Sequence, residues 1–443
     1  MKRNAGKMLR LAAALLVLLF TATGCLFSAS VGDLYALPQM PEQYQELEQQ
    51  INQLVADGAE YAAPISGSNL QPVQMVDLDG DGTEEALIFM RKSTEEKPLK
   101  IYIFRMRSGH YQQSAVLENS GSSIYSISYK DLTGDGRAEI LVGWRAGAET
   151  PALTVYSLRG SEPVLMLSTT YSRYVFDSAG RGFVLLRSGP EERCVAEAYE
   201  VSENGTLGVT STARLSSTAA ELAGGRVISG RIGSDVPALF VVGVSADGST
   251  AMTDVLRWNE NGLKNVTMSQ NTGYTAASYP FQQLFPQDIN NDGITELPVP
   301  LPCPEEGGES GVVQWRQVNE RGRSEAVLQT YHNRTDGWYL TLPEQWEEHI
   351  VVYRSELSAN EATVTFFYKN GTEMQEFLRI HTLSGENREL RAGRNGRFRL
   401  RSRQNVVFAG ELMASAPEEL ELSEETVRSL FNLIVTEWIS GEN

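Results

Sequence analysis

The sequence predicts a mainly β protein: about five repeated four-stranded sheets followed by a small α+β unit. Three observations carry that expectation. An acidic loop pattern occurs three times, modules recur at a spacing near fifty residues, and apolar/polar alternation is broken by Asn/Gly turns.

The acidic loops occupy residues 77–85, 131–139 and 288–296. Position 1 is Asp77, Asp131 or Asp288, and position 3 is Asp79, Thr133 or Asn290. Position 5 is Asp81, Asp135 or Asp292, and position 9 is Glu85, Glu139 or Glu296. Oxygen-bearing side chains at alternate positions converge when the backbone curls tightly, and Gly82, Gly136 or Gly293 at position 6 permits that curl. The backbone carbonyl at position 7, from Thr83, Arg137 or Ile294, adds a further oxygen. Such a shell suits a hard cation, and Ca2+ is the expected ion, up to three per chain in a structural role. Thr133 predicts weaker binding in the second loop. An EF-hand would place a bidentate Glu at position 12 between two helices. Position 12 here is Ile88, Val142 or Val299, and the flanks Val73–Val76, Ala86–Met90, Ile124–Tyr129, Ile140–Trp144 and Leu297–Val299 are strand-like. Each loop therefore joins two strands. A plain Asp-Gly hairpin turn explains a single copy equally well; three copies, each with Glu at position 9, favour metal.

On these residues the loops resemble the calcium loops of FG-GAP repeats, the integrin α-type repeats also called VCBS. The Phe-Gly and Gly-Ala-Pro signatures of the integrin version are not evident, so the resemblance is to the broad bacterial group. It implies a β-propeller. It also implies calcium at Asp77, Asp79, Asp81 and Glu85, at Asp131, Thr133, Asp135 and Glu139, and at Asp288, Asn290, Asp292 and Glu296.

The first two loops start 54 residues apart, and the third starts 157 residues after the second. Degenerate copies fill the gap at Phe176–Leu186 and Arg231–Gly243. Leu185 and Leu239 replace the position-9 acid there, so neither copy is expected to hold metal. Modules then begin at 77, 131, 177, 231 and 288, a period typical of propellers and related arrays. Hairpins fall between the loops: Lys100–Met106 with Tyr111–Leu117, Asp254–Trp258 with Leu263–Val266, and Val312–Val318 with Ala326–Thr330. Two strands around a loop plus one hairpin make a four-stranded blade, and about five fit within residues 70–335.

At the amino terminus, Lys2, Arg3, Lys7 and Arg10 precede the apolar run Leu11–Phe20 and then Thr21-Ala22-Thr23-Gly24-Cys25. The run is short for a bilayer span and has signal-peptide flanks. Its end resembles the bacterial lipobox, which implies a signal peptide over 1–24 and lipidation of Cys25, on the extracytoplasmic face of the cell membrane. An ordinary signal peptide or a retained anchor is the alternative. Residues 25–69 are expected to form a tether with a short helix after Pro41, bearing Tyr44, Leu47, Ile51, Leu54 and Val55 on one side. Cys194 and Cys303 are expected as two thiols rather than a disulfide. Residues 336–443 are expected to form the α+β domain, with strands at Ile350–Tyr353, Ala362–Tyr368, Phe377–His381 and Asn405–Ala409. A closing helix, N-capped by Ser423, would share Val427, Leu430, Phe431, Ile434 and Trp438 on one face.

The formal charge is −18, and loss of the four basic leader residues makes it −22. Three divalent cations would leave it strongly negative, which argues against a nucleic-acid partner. The basic run from Arg388 to Arg403 alternates at Arg397, Arg399, Arg401 and Arg403, as one solvated strand face or as a dock for anionic cell wall or lipid headgroups. No Gly-x-Ser-x-Gly, Walker or His-Glu-x-x-His motif is present. His110, His332, His349 and His381 are scattered, as surface or strand residues rather than ligands. The expected function is therefore a non-catalytic, lipid-anchored, monomeric binding or scaffold protein at the bacterial envelope, with a cell-wall, glycan or protein partner. An extracellular polysaccharide-acting hydrolase or lyase is the alternative.

Overall fold

The computed structural model describes residues 42–147, 151–159, 162–176, 182–189, 192–303, 308, 311–347, 349–420 and 422–434. The expected signal peptide and Cys25, the degenerate turn at 177–181 and Trp438 lie outside these residues. Strands account for 56% and helices for 10%, so the chain is mainly β. Among the described residues no helix is long and apolar enough to cross a membrane.

The described residues form two compact units: 42–58 with the hairpin tip Arg105–Gln112, and the other described residues. In the smaller unit, helix α1 (Glu42–Ala56) buries Leu47 and Ile51, one turn apart, while Val55 stays exposed. Tyr44 stacks on Tyr111, Gln50 donates to the Tyr111 carbonyl at 2.6 Å, and Glu46 pairs with His110.

The larger unit is a series of antiparallel sheets. The first contains Glu60–Tyr61, Val73–Val76, Glu85–Arg91, Leu99–Arg107 and His110–Asn119, the tip of this last hairpin being counted with the smaller unit; the two short strands share one edge of Glu85–Arg91. The second runs Ser123–Lys130, Glu139–Arg145, Ala152–Arg159, Glu162–Thr170. The third runs Arg173–Phe176, Gly182–Ser188, Arg193–Val201, Leu207–Thr218. The fourth runs Arg226–Ile232, Val236–Val244, Thr250–Asn259, Gly262–Asn265, with Ser278–Pro280 also on Thr250–Asn259. The fifth runs Glu296–Pro300, Val312–Val318, Ser324–Asn333, Trp338–Leu342, Phe431–Leu433. The strand that follows each acidic loop in the first two sheets is buried almost end to end, which is why Ala86–Met90 and Ile140–Trp144 are continuous apolar runs.

Successive sheets share cores. One apolar cluster joins Leu87, Phe89 and Ile101 to Ile127 and Val142; another joins Leu141 and Val155 to Tyr174 and Leu185. A third joins Leu186 and Ala196 to Val241 and Leu256, and a fourth joins Phe240 to Leu297 and Val318. Helix α2 (Ala219–Gly224) links the third and fourth sheets behind a Thr218/Glu221 capping box.

The expected boundary between residues 335 and 336 falls inside a hairpin. Trp338–Leu342 pairs with Ser324–Asn333, Tyr331 opposite Leu340, through a turn at Gly337. The sixth sheet follows, ordered Ile350–Ser358, Glu361–Asn370, Glu373–Ser384, Val406–Leu412, Arg397–Arg403. A single core holds Tyr331 and Trp338 from the fifth sheet together with Phe366, Ile380 and Phe408 from the sixth. Helix α3 (Arg388–Ala392) lies over the sixth sheet's other face, where Ala392 meets Leu383, Val407 and Ala409. The closing helix is shorter than expected. Helix α4 (Glu424–Leu430) is capped by Ser423 as expected, but Phe431–Leu433 is extended and pairs with Trp338–Leu340. The expected tether also ends early, since Glu60–Tyr61 pairs with Met90–Arg91.

The arginine run does not form one face. A register shift between Arg399 and Arg401 splits it. Arg397 turns inward and donates to Glu361 at 2.7 Å, beside His381, whose Nδ1 and Nε2 lie 2.9 Å from Thr363 Oγ1 and Glu411 Oε2. Arg403 instead donates to the Ile434 carbonyl. Among the described residues, Cys194 and Cys303 are not joined in a disulfide.

His332 gives a pH-dependent expectation. It is 6% exposed, stacks on Tyr339 at 5.0 Å, and among the described residues neither ring nitrogen has a hydrogen-bond partner. Burial, aided by Arg334, pushes its pKa down to about 3. The unfolded chain therefore binds this proton more readily, and stability present above about pH 6.5 is lost as pH falls towards 3. His332→Phe is expected to reduce that loss by a few kcal/mol in urea titrations at pH 7 and pH 4. An unchanged difference between the two pH values would count against the buried neutral imidazole.

Candidate metal centre

The three acidic loops fold alike. In each, the residue before position 1 pairs with position 9: Val76 with Glu85, Lys130 with Glu139, Gln287 with Glu296. Each is thus a hairpin connection of fixed register, although in the third the strand before the loop shrinks to that single bridge. The position-1 carboxylate accepts the position-6 amide at 3.0 Å from Gly82, 2.9 Å from Gly136 and 2.9 Å from Gly293. Position 5 accepts the position-7 amide: Thr83 to Asp81, Arg137 to Asp135, Ile294 to Asp292. Position 9 accepts the position-2 amide at 2.8, 2.8 and 3.0 Å, from Leu78, Leu132 and Ile289. These amide bonds pre-arrange one oxygen of each acid and turn the loop inward on its own carboxylates.

A second left-handed residue, at position 4, was not singled out by the sequence. Gly80, Gly134 and Asn291 have φ of 73°, 74° and 60°. The signal was present, because glycine and asparagine are the residues that tolerate this conformation. Gly80 carries a further constraint. A Cβ there would lie 2.3 Å from the Gly136 carbonyl oxygen, since the first two loops touch and Ala138 donates its amide to the Leu78 carbonyl at 2.9 Å. Gly80→Ala is therefore expected to cost more than Gly82→Ala, whose Cβ would meet open space at a similar φ. The strained backbone alone accounts for roughly 1–3 kcal/mol in both, and the collision adds to it only at Gly80. Equal losses in denaturant melts would contradict the contact between loops.

The loops differ as cation sites. Asp77, Asp79 and Glu85 bring ligand oxygens within 4.8 Å of one another, the one such cluster of acids, histidines or cysteines among the described residues. In the second loop Thr133 turns its hydroxyl towards Asp131, and Glu139 Oε1 is buried without a hydrogen bond of normal geometry. In the third, the Gln317 amide donates at 2.8 Å both to Asp292 and to Glu296. Gln317 lies 21 residues beyond Glu296, and no local pattern marks it. Burial raises the pKa of Glu139 and of Glu296, with neighbouring aspartates adding to the effect. Buried, mutually repelling carboxylates cost stability unless a cation compensates them. The residues therefore fit a hard divalent ion, best in the first loop. Asp77, Asp79, Asp81 and Glu85 with the Thr83 carbonyl would hold it; its chemistry there is charge compensation and cross-linking of the hairpin.

No family model matches the chain, and no curated protein matches it. Among solved structures, a Bacteroides fragilis protein provisionally described as a 6-phosphogluconolactonase is 13% identical, covers 68% of this chain and 83% of its own, and has a TM-score of 0.25. At that score the likeness carries no argument about fold or activity.

Proposed function

We propose that this chain is a calcium-binding β-propeller of the FG-GAP/VCBS type that acts as a non-catalytic binding platform at the bacterial envelope. In this reading the first five sheets are blades, and calcium at 77–85, with the loops at 131–139 and 288–296 as further sites, pins the first strand of a blade to the second. The lipobox-like Thr21–Cys25 supplies the anchor to the cell membrane, and the extracytoplasmic space supplies calcium in the range such modules bind. The observation that carries the reading is the threefold recurrence of one amide-to-carboxylate pattern, with three carboxylates gathered in the first loop. The test is melting of the mature chain with calcium and with EDTA. Reversible stabilisation by calcium is expected, and identical melting in both would overturn it.

A further inference from the structure

The strand ends remote from the acidic loops carry a different chemistry. Arg91 and Arg145 each stand 14 residues after the first aspartate of their module, so they occupy the same place in the repeat. Each closes a seven-residue strand that starts at the position-9 glutamate, putting the two arginines roughly 20 Å from the carboxylate loops. Arg91 donates to the Ser122 carbonyl, and the Arg145 guanidinium sits 4.2 Å over the Tyr125 ring. Among the described residues neither forms an ion pair, in a chain whose formal charge is −18.

A cavity of about 390 Å³ opens at this place. Its wall includes Glu60, Tyr61, Ile65, Arg91, Ser123 and Ile124. Tyr61 and Ile65 are 53% and 57% exposed, so their apolar faces are open to a ligand rather than spent on the core. Arg145 is the cross-strand partner of Ser123, and the Tyr125 carbonyl accepts the amides of Ile65 and Ser66, which puts Arg145 and Tyr125 at the rim.

We propose that this cavity binds an acidic sugar residue of an anionic polysaccharide. A tyrosine face suits the apolar side of a pyranose ring, and a guanidinium fork suits a carboxylate. Glu60 and Ser123 offer partners for hydroxyl groups. The volume lies in the range of small-molecule sites. A polymer rather than a free sugar is favoured because further arginines stand at the same end of the third and fourth sheets, where they open strands rather than close them. Arg193 lies 3.7 Å over Tyr274, Arg226 lies 4.2 Å over Phe285, and Arg173 donates to the Ala223 and Gly225 carbonyls. A nucleic acid carries denser charge, which the net negative chain would repel more strongly. This inference deepens the binding-platform reading and rests on it, but does not depend on calcium.

The test is affinity electrophoresis of the mature chain through gels containing polygalacturonate, dextran or poly(dT). Retardation by polygalacturonate alone is expected. Tyr61→Ala and Arg91→Ala should each weaken it at least fivefold, and Arg401→Ala on the sixth sheet should not. Tyr61 is half exposed, so its variant separates binding from folding. No retardation, equal retardation of Tyr61→Ala, equal weakening by Arg401→Ala, or comparable retardation by poly(dT) would overturn the site. New reducing ends released from retained polygalacturonate would support the site while overturning the non-catalytic reading.

Discussion

Asp79→Asn is expected to remove most of the stabilisation that calcium gives through the first loop, while leaving the calcium-free protein nearly unchanged. The substitution keeps the shape of the side chain and deletes one carboxylate from the three that lie within 4.8 Å. An ion bound only by the native chain adds about 2.7 kcal/mol at a hundredfold excess over its Kd. With an unfolding entropy of about 2.1 cal/mol/K per residue, a chain of this length should melt about 3 °C higher for each loop so filled. Without calcium, Asp79→Asn should match or slightly exceed the parent, because it relieves repulsion among Asp77, Asp79 and Glu85. Scanning calorimetry at millimolar calcium and in EDTA measures both effects. An equal calcium response in parent and variant would assign the stabilisation to another site.

Trp338→Ala is expected to have the largest effect on the fold itself. Trp338 is fully buried, packs against Tyr331 at 5.7 Å and Phe431 at 5.4 Å, and sits in the core common to the fifth and sixth sheets. Truncating a buried tryptophan costs about 3–5 kcal/mol. Among the described residues its indole N–H is buried without a partner, so loss of that group offsets part of the cost, and the lower end of the range is expected. Trp338→Phe should be milder, because it keeps an aromatic ring and removes the unpaired donor. Hydrogen exchange locates the damage. Protection should fall in Ser324–Asn333 as well as in Phe431–Leu433, since both flank Trp338–Leu342. Unchanged protection in Ser324–Asn333 would mean that residues after 335 fold as a separate domain.

Turn chemistry and alternation, both local, made much of this architecture legible. The strands around 77–85 and 131–139 and the hairpins at Ser108-Gly109 and Asn319–Gly322 follow from residues only a few positions apart. The missed features depend on distant partners. Val427, Leu430, Phe431 and Ile434 have helical spacing, yet Phe431–Leu433 gains a ladder with Trp338–Leu340 some ninety residues back, and the ladder prevails. The alternating arginines read as one face until the bulge after Arg399 divides them. Gln317 reaches the third loop only because the neighbouring strand places Gln317 opposite Glu296. Two local signals were available and not used: the position-4 Gly, Gly and Asn of the loops, and the Thr218/Glu221 capping box of α2.

Bound metal per chain tests the central claim most directly. The mature protein, equilibrated by dialysis against millimolar calcium, should carry at least one and at most three calcium ions by elemental analysis, and Asp79→Asn should carry one fewer. A folded chain with no calcium above the dialysis buffer, or a variant with the parent's full complement, would contradict the assignment of 77–85 as a calcium loop.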